Sequence, residues 1–336
     1  MLECDPRHVP KGWPQRTHHG TASVSFIHPG NTMAITAPPI GIDAPRSVTA
    51  GMVYAVSAIS VFALQDAMTK FLVSAYPISQ FLLVRFAVFA VFALGWAAMQ
   101  GGLQRALKTQ HLWLQLARAA LLIGEIYLFC MALQFLSLGD LHAIYATTPL
   151  VVTILAGLLL GEAIGWRRRV AVALGFLGAL IIIRPGLGVM HWAALLVLAS
   201  GFGFALYIVA TRKVGRDDSV ATSTLYVAAG GAALVAPFGI TQWQPMDLHG
   251  ALLMGGISLT GVVGHMLYIT ALTQAPAVVI QPFTYLLLVW AVIYGFVFFG
   301  TLPDTLTVLG ALIVVISGLY VSWREWVRSR EPKILS

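Results

Sequence analysis

Residues 118–184 read RAALLIGEIYLFCMALQFLSLGDLHAIYATTPLVVTILAGLLLGEAIGWRRRVAVALGFLGALIIIR. They hold three apolar runs, each close to the ~20 residues that carry an α-helix across the hydrocarbon of a bilayer. The connections between them are too short for a globular domain. The runs are long and unbroken, which predicts helices; a membrane barrel would show short segments of alternating polarity. A weaker copy lies 139 residues further on, where Met131-Ala132-Leu133 falls on Thr270-Ala271-Leu272 and Gly161 on Gly300. The stretch therefore predicts a duplicated set of membrane helices.

Bulk composition agrees. Of 336 residues, 58% are hydrophobic and 10% charged, against about a quarter charged in soluble domains. Mean hydropathy is +0.84, which excludes a soluble fold. Ten candidate spans follow from Val48, at about 48–70, 78–99, 111–134, 139–160, 167–184, 190–211, 219–240, 249–271, 275–299 and 304–323. Residues 1–46 differ, with seven prolines, four histidines and no apolar run of membrane length. They read as a disordered cytoplasmic tail lacking the apolar core of a signal peptide, and Met33 offers a second start within it. The spacing of His8, His18, His19 and His28 matches no metal framework, and Cys4 and Cys130 form no disulfide or metal pattern. Neither a metal nor another cofactor is expected.

The placement of charge sets the topology. Sixteen of the twenty Lys and Arg lie on one side if the N-terminus is inside. They are Arg7, Lys11, Arg16 and Arg46 in the tail, then Arg105 and Lys108, Arg167 to Arg169, and Arg212, Lys213 and Arg216 in connections. Arg324, Arg328, Arg330 and Lys333 complete the set at the C-terminus. Lys70 and Arg184 fall opposite, while Arg85 and Arg118 lie within spans. This bias predicts a multi-pass protein of the bacterial inner membrane with both termini cytoplasmic. It also excludes nucleic acid as a partner, because the net charge of +7 serves orientation. Five spans per copy is an odd number, so the second copy enters the bilayer upside down. The expected divisions are the tail 1–46, a first repeat 47–186, a second repeat 187–323 and a basic cytoplasmic tail 324–336. Inverted repeats with a midplane site are the architecture of alternating-access carriers.

Polar side chains within the spans are the candidate site. An ionised carboxylate at a helix centre costs about 2.5–3.5 kcal/mol on insertion scales, so Glu125, near mid-depth in span 3, needs a reason. At the repeat offset it falls on Gly264, beside His265 in span 8. The two form either a proton-coupling or substrate-binding pair, or an acid bonded to helix backbone with His265 packed apart from it. Asp66 and Lys70 are four apart on span 1 and share a face. With Arg85 entering span 2 at similar depth, they predict an ion network locking the first two helices together. Arg118 is seven residues before Glu125, on the same face; it either snorkels outward or attracts an anionic group.

Spans 4 and 9 read as walls of a cavity. Gln281, Thr284, Tyr285 and Leu288 share one helical face, and at the offset they fall on His142, Tyr145, Ala146 and Pro149. His142 and Gln281 would then sit toward opposite mouths, as two gates, unless they merely bond nearby helix ends. Pro149 permits a kink. Tyr54, Tyr127, Tyr207, Tyr268 and Trp290 are aromatics able to stack on a flat or amphipathic substrate, although such residues more often pack or anchor at interfaces.

The chain resembles the drug/metabolite transporter superfamily in its ten-helix EamA-type branch. The resemblance rests on Asp66-Ala-Met-Thr-Lys70 closing span 1, Val84-Arg85-Phe86 in span 2 and Arg118 early in span 3. It continues with Ala143, Pro149 and Gly161-Glu162 in span 4, then Gly178 and Arg184-Pro185 closing span 5. It implies an all-α carrier of two five-helix repeats around a cavity lined by helices 1, 3, 4, 6, 8 and 9, moving small metabolites without ATP. Members handle amino acids, nucleotide-like compounds, vitamins and amphipathic drugs. Two departures stand out: Thr301 and Leu288 occupy the second-copy positions of Glu162 and Pro149, and Glu125 replaces a small or hydroxylated residue.

The reading is a secondary transporter, possessing a small-molecule substrate and a lipid surround, and assembled as a monomer or homodimer. One rival is an intramembrane enzyme, opposed by the lack of H-E-x-x-H, G-x-S-x-G, C-x-x-C and P-loop patterns. The other is a non-transporting accessory subunit, which would line its inter-repeat interface with apolar residues rather than Glu125, His265, Gln281 and Tyr145.

Overall fold

The computed structural model describes residues 47–99, 102–161, 165–184 and 192–330. The tail with its cysteine and four histidines, Glu162, Pro185 and the last six residues lie outside the described part.

The fold is all α. Its helices are α1 Val48–Ala75, α2 Ile78–Met99, α3 Leu112–Leu133, α4a Leu138–Tyr145, α4b Thr148–Leu160 and α5 Trp166–Ile183. Then come α6 Ala193–Val214, α7 Val220–Thr241, α8 Leu248–Gln274, α9 Leu286–Phe299 and α10 Thr305–Arg330. Among the described residues, nine stretches are long and apolar enough to cross a membrane, counting α4a with α4b and α9 with the turn before it. The fifth of the ten spans read from the sequence, α5, is not among them; it carries Arg167, Arg168 and Arg169 in its first turn. Large apolar side chains stay exposed along the helices, among them Val91, Leu158, Leu259 and Ile316. A lipid surround satisfies such a surface.

Helix starts follow local chemistry. Ser47, Ser137, Ser219 and Asp247 each accept a hydrogen bond from the backbone N–H three residues on, satisfying a donor that the first turn leaves free. The ends of crossings 4 and 9 are also matched. Gly161 and Gly300 both adopt left-handed backbone, at φ 71° and 63°, where a side chain is strained. They are the pair that the 139-residue offset superposes.

Crossings 4 and 9 are not the continuous helices that periodicity predicts. Pro149 has no N–H to give the carbonyl of Tyr145, four residues back, and α4a stops at Tyr145. In crossing 9 a short helix, Ala277–Ile280, leads into a 3-10 turn, Gln281–Tyr285, containing Pro282. At the repeat offset that turn overlies residues 142–146. The shared face expected for Gln281, Thr284, Tyr285 and Leu288 is lost, because a 3-10 turn advances three residues rather than 3.6. Tyr285 instead packs on α10, where a Cβ on Gly318 would collide with its ring.

The two copies run in opposite directions. Ser79, at the start of α2, bonds Gln242 beyond the end of α7, while Phe86 lies on Gly231. Gly178 and Gly310 bring α5 and α10 into backbone contact, so that a Cβ on Gly178 would stand 2.7 Å from the carbonyl oxygen of Gly310. α1 pairs with α8 from Gly51 against Ala275 to Tyr76 against Gly250. Its image in the other copy is the pairing of α6 with α3, through Ser200 to Glu125 and Thr211 to Arg118. Every such pair is antiparallel, as an inverted duplication requires.

Polar seams join the copies at both ends of the bundle. On the end where Lys and Arg gather, Asp218 accepts from Thr109, from Gln115 Nε2 at 2.8 Å and from the backbone N–H of Gln110. His111 Nε2 stands 2.7 Å from Asp217. Burial alone would lift the Asp218 carboxyl, but the bonds from Thr109, Gln115 and Gln110 outweigh it and hold it below the usual range. On the opposite end, Tyr76 donates to Asp247 at 2.8 Å, and Gln80 exchanges bonds with the backbone of Gln244. Arg184 also donates to both carboxylate oxygens of Asp304, at 2.7 Å for Oδ2. The bonds from Arg184 and from the Thr307 backbone hold that carboxyl at about 2. A lowered value means this contribution is present above the unfolded carboxyl range and lost as pH falls toward 2; around neutrality it is constant.

The ion network expected between α1 and α2 takes another form. Lys70 Nζ donates to the carbonyls of Leu133 and Leu136, both at 2.6 Å, at the C-terminal end of α3. Those carbonyls are left over when the helix stops and carry the negative end of its dipole. Asp66 has His142 as its ion partner, with Nε2 3.2 Å from Oδ2. Among the described residues no ion pair links Asp66 to Lys70 or Arg85. Replacing Lys70 with Met is expected to cost about 2 kcal/mol, since two bonds from a charged donor, each worth roughly 1.5–3, are lost while the cost of keeping an ammonium out of water is relieved. Thermal unfolding in detergent checks this, and the loss should be the same in an Asp66→Asn background. A loss that vanishes in that background would restore the Asp66–Lys70 pair.

Candidate functional site

Glu125 lies just past the middle of α3 and is 6% exposed. Its Oε1 accepts from Tyr145 OH at 2.8 Å and, more weakly, from Ser200 Oγ at 3.4 Å. Tyr145 is the last residue of α4a, so the break at Pro149 fixes where its ring turns. Ser200 belongs to α6, in the other copy. The close approach of α6 is permitted by Gly203, where an added Cβ would already touch Glu125 Cβ at 3.5 Å. Glu125 is thus held from both copies at once.

A second acid sits beside this cluster. Asp66 of α1 pairs with His142 of α4a, which is 4% exposed. Phe129 presents a T-shaped contact to His142 at 5.7 Å and to Tyr145 at 5.4 Å. Phe204 then tilts over Tyr145 at 6.2 Å and stacks on Tyr207 at 5.9 Å. Aromatic rings therefore pack against the partners of both carboxylates, Tyr145 and His142.

Arg85 faces the same region from α2. Asp66, Cys130 and Glu125 are its electrostatic neighbours, and its guanidinium carbon lies 5.9 Å from the Phe86 ring centre. No hydrogen bond or ion pair within the described residues engages it. Nearby, Gln65 of α1 is 4% exposed and its Oε1 accepts no hydrogen bond, and His265 Nε2 of α8 is buried without a partner.

His265 and Glu125 do not bond to each other: His265 meets Phe89 edge-on at 5.3 Å, and Glu125 has Tyr145 and Ser200. Arg118 does not snorkel. It is 2% exposed, donates to Thr211 Oγ1 at 2.9 Å and to Gln115 Oε1, and covers the Tyr207 ring at 5.3 Å. Gln115 in turn donates to Asp218, tying Arg118 to the seam rather than to Glu125. Gln281 is half-buried at the head of the 3-10 turn, its carbonyl accepting from Thr284. Tyr268 packs with Ala55, Ala271, Ala275 and Ile280 between α1 and α8. Trp290 stacks on Tyr294 at 5.4 Å, and Tyr54 and Tyr127 are exposed.

Sequence reasoning missed Gln65 and Ser200. A lone Gln or Ser in a span is tolerated, and Ser200 stands among the glycines of a packing surface. Only the neighbouring copy shows what each one faces. Their signal was position: Gln65 precedes Asp66, and Ser200 lies midway along the first helix of the second repeat.

The profile of the EamA-like transporter family matches the chain twice, over residues 49–184 and 191–323. A riboflavin transporter of Vibrio cholerae is 30% identical over 76% of this chain and 87% of its own length. A riboflavin transporter of Rhizobium johnstonii is 28% identical over 86% and 96%. An S-adenosylmethionine uptake transporter of Rickettsia prowazekii is 24% identical over 84% and 96%. One crystal structure superposes with a TM-score of 0.55 at 17% identity, covering 82% of this chain and 98% of that one, which establishes likeness of fold. The relatives are transporters, not enzymes. The chain therefore belongs to the EamA-like transporter family, as a multi-pass membrane carrier of small metabolites built from two copies of the family's helical unit.

Proposed function

We propose that this protein is a secondary, ATP-independent carrier that moves a small metabolite bearing a flat heteroaromatic ring across the bacterial inner membrane. It works by alternating access, with residues 47–186 and 187–323 rocking against each other and both termini in the cytoplasm. The observation that carries the reading is the bond set of Glu125, which joins α3 and α4a of one copy to α6 of the other at mid-membrane. A carboxylate placed there is costly and lies at the boundary whose rearrangement transport requires. Arg85 beside it gives the region both signs of charge, and the rings of Phe129, Tyr145 and Phe204 suit a planar ligand. Riboflavin and S-adenosylmethionine, the compounds that name the relatives, both contain such a ring system, and riboflavin is the first compound to test.

Glu125 serves as the coupling group. It exchanges a proton or a cationic substrate group with the two sides in turn, and Tyr145 and Ser200 hold it when neither is bound. In liposomes containing only the purified protein, Glu125→Gln is expected to abolish the pH dependence of riboflavin flux while the protein still inserts and purifies. Retention of the wild-type pH profile in that variant would refute the coupling role. Tyr145→Phe removes the shorter of the two bonds and should lower flux about tenfold, as loss of one hydrogen bond to a charged group allows. Unchanged flux would place Tyr145 outside the transport cycle.

A further inference from the structure

Between α1, α2 and α8, two polar atoms, Gln65 Oε1 and His265 Nε2, are buried without partners, and half-buried Arg85 beside them makes no hydrogen bond or ion pair among the described residues. A Cβ placed on Gly261 would stand 3.2 Å from Gln65 Oε1 and 3.7 Å from Arg85 Nε. The two side chains thus converge on the face of Gly261, so closely that a side chain at 261 would crowd Gln65 Oε1. His265 follows Gly261 by one helical turn on the same face, and its ring meets Phe89, one turn along α2 from Arg85. Its Nε2 lacks a partner, as does Gln65 Oε1.

Buried polar atoms in native proteins nearly always find partners, and a guanidinium within a span is costlier still. Asp66 is within electrostatic reach of Arg85 but is ion-paired to His142, and Glu125 is held by Tyr145 and Ser200. Helices of both copies contribute: Gln65 and Arg85 come from one, Gly261 and His265 from the other.

Building on the carrier reading above, we propose that Gln65, Arg85 and His265 form the subsite that recognises an amide or imide edge, O=C–N–H, of the transported compound. The guanidinium offers donors in a planar fork that suits carbonyl oxygen. Gln65 Oε1 requires a donor in return, which a carboxylate cannot supply and an imide N–H can. His265 Nε2 lies one turn further along and meets the next polar atom of the same edge. A ring carrying this edge would lie toward Phe89, leaving its remaining substituents toward Glu125 and Tyr145.

The test uses the full chain in detergent and in liposomes, with three probes. Riboflavin carries the imide edge, N3-methylriboflavin keeps both carbonyls but lacks the N–H, and S-adenosylmethionine presents a carboxylate. Binding is followed by quenching of flavin fluorescence, and S-adenosylmethionine is scored by competition. Wild-type protein should bind riboflavin roughly tenfold or more tightly than N3-methylriboflavin, the difference expected when a buried acceptor loses its donor. Gln65→Ala should weaken riboflavin to the level of the methylated probe without weakening the latter further. Arg85→Lys, which keeps the charge and loses the fork, should weaken both flavins alike. Size-exclusion profiles matching wild type show that the variants fold.

Equal binding of the two flavins by wild type, discrimination that persists in Gln65→Ala, preferential binding of S-adenosylmethionine, or no flavin binding at all would each overturn the subsite. Discriminating binding without flux in liposomes would leave the subsite standing and refute the carrier reading instead. Flux without discrimination would do the reverse.

Discussion

A bilayer offers no water to a polar atom, so a charge within a span must meet protein. That constraint decides how the two copies fit. Glu125 cannot be satisfied by its own helix: its donors are a tyrosine at the broken end of α4a and a serine on α6. Arg118 needs Thr211 and Tyr207 of α6 as well as Gln115 of α3. Lys70 is spent on the carbonyls that end α3. The polar residues therefore act as cross-links between elements that apolar packing alone would leave free to slide, since lipid tails are as apolar as the helix surfaces.

The same constraint explains why irregular backbone occurs where it does. Non-helical chain at membrane depth is tolerated only when protein or a polar hollow surrounds it. Both breaks, after Tyr145 and through Gln281–Tyr285, fall at corresponding places in the two copies. The first turns an aromatic hydroxyl toward the carboxylate; the second carries Tyr285 onto α10. Chemical duties have diverged between copies that keep one backbone plan. Above and below this centre, the seams through Asp218 and Asp247 are of equivalent design: the connection between the first two helices of one copy docks on that between the second and third of the other.

Much of the architecture was legible in the sequence because hydrophobic length and an internal offset are properties of the chain itself. The succession of apolar helices, the duplication and the correspondence of Gly161 with Gly300 follow from spacing alone, whereas the left-handed turn at each of those glycines does not. What was lost depended on neighbours. Asp66 and Lys70 share a helical face, yet each found a better partner on another helix, because His142 and the end of α3 lie closer than four residues of the same face can reveal. Pro149 announced a kink but not a full break, and Pro282 announced neither. Glu125 and Tyr145 were legible as unusual residues in a membrane span, whereas Gln65 and Ser200 carry no signal until the other copy is placed against them.

In the proposed cycle two opposed copies part at one seam while holding the other, with Glu125 between them. The most direct measurement fixes each seam in turn with a short thiol cross-linker, in protein whose Cys4 and Cys130 are replaced by serine. Thr109→Cys with Asp218→Cys closes one end, and Tyr76→Cys with Asp247→Cys closes the other. Riboflavin exchange through liposomes should stop with either link and return when a cleavable linker is cut. Exchange continuing at the unlinked rate with either end fixed would contradict the account.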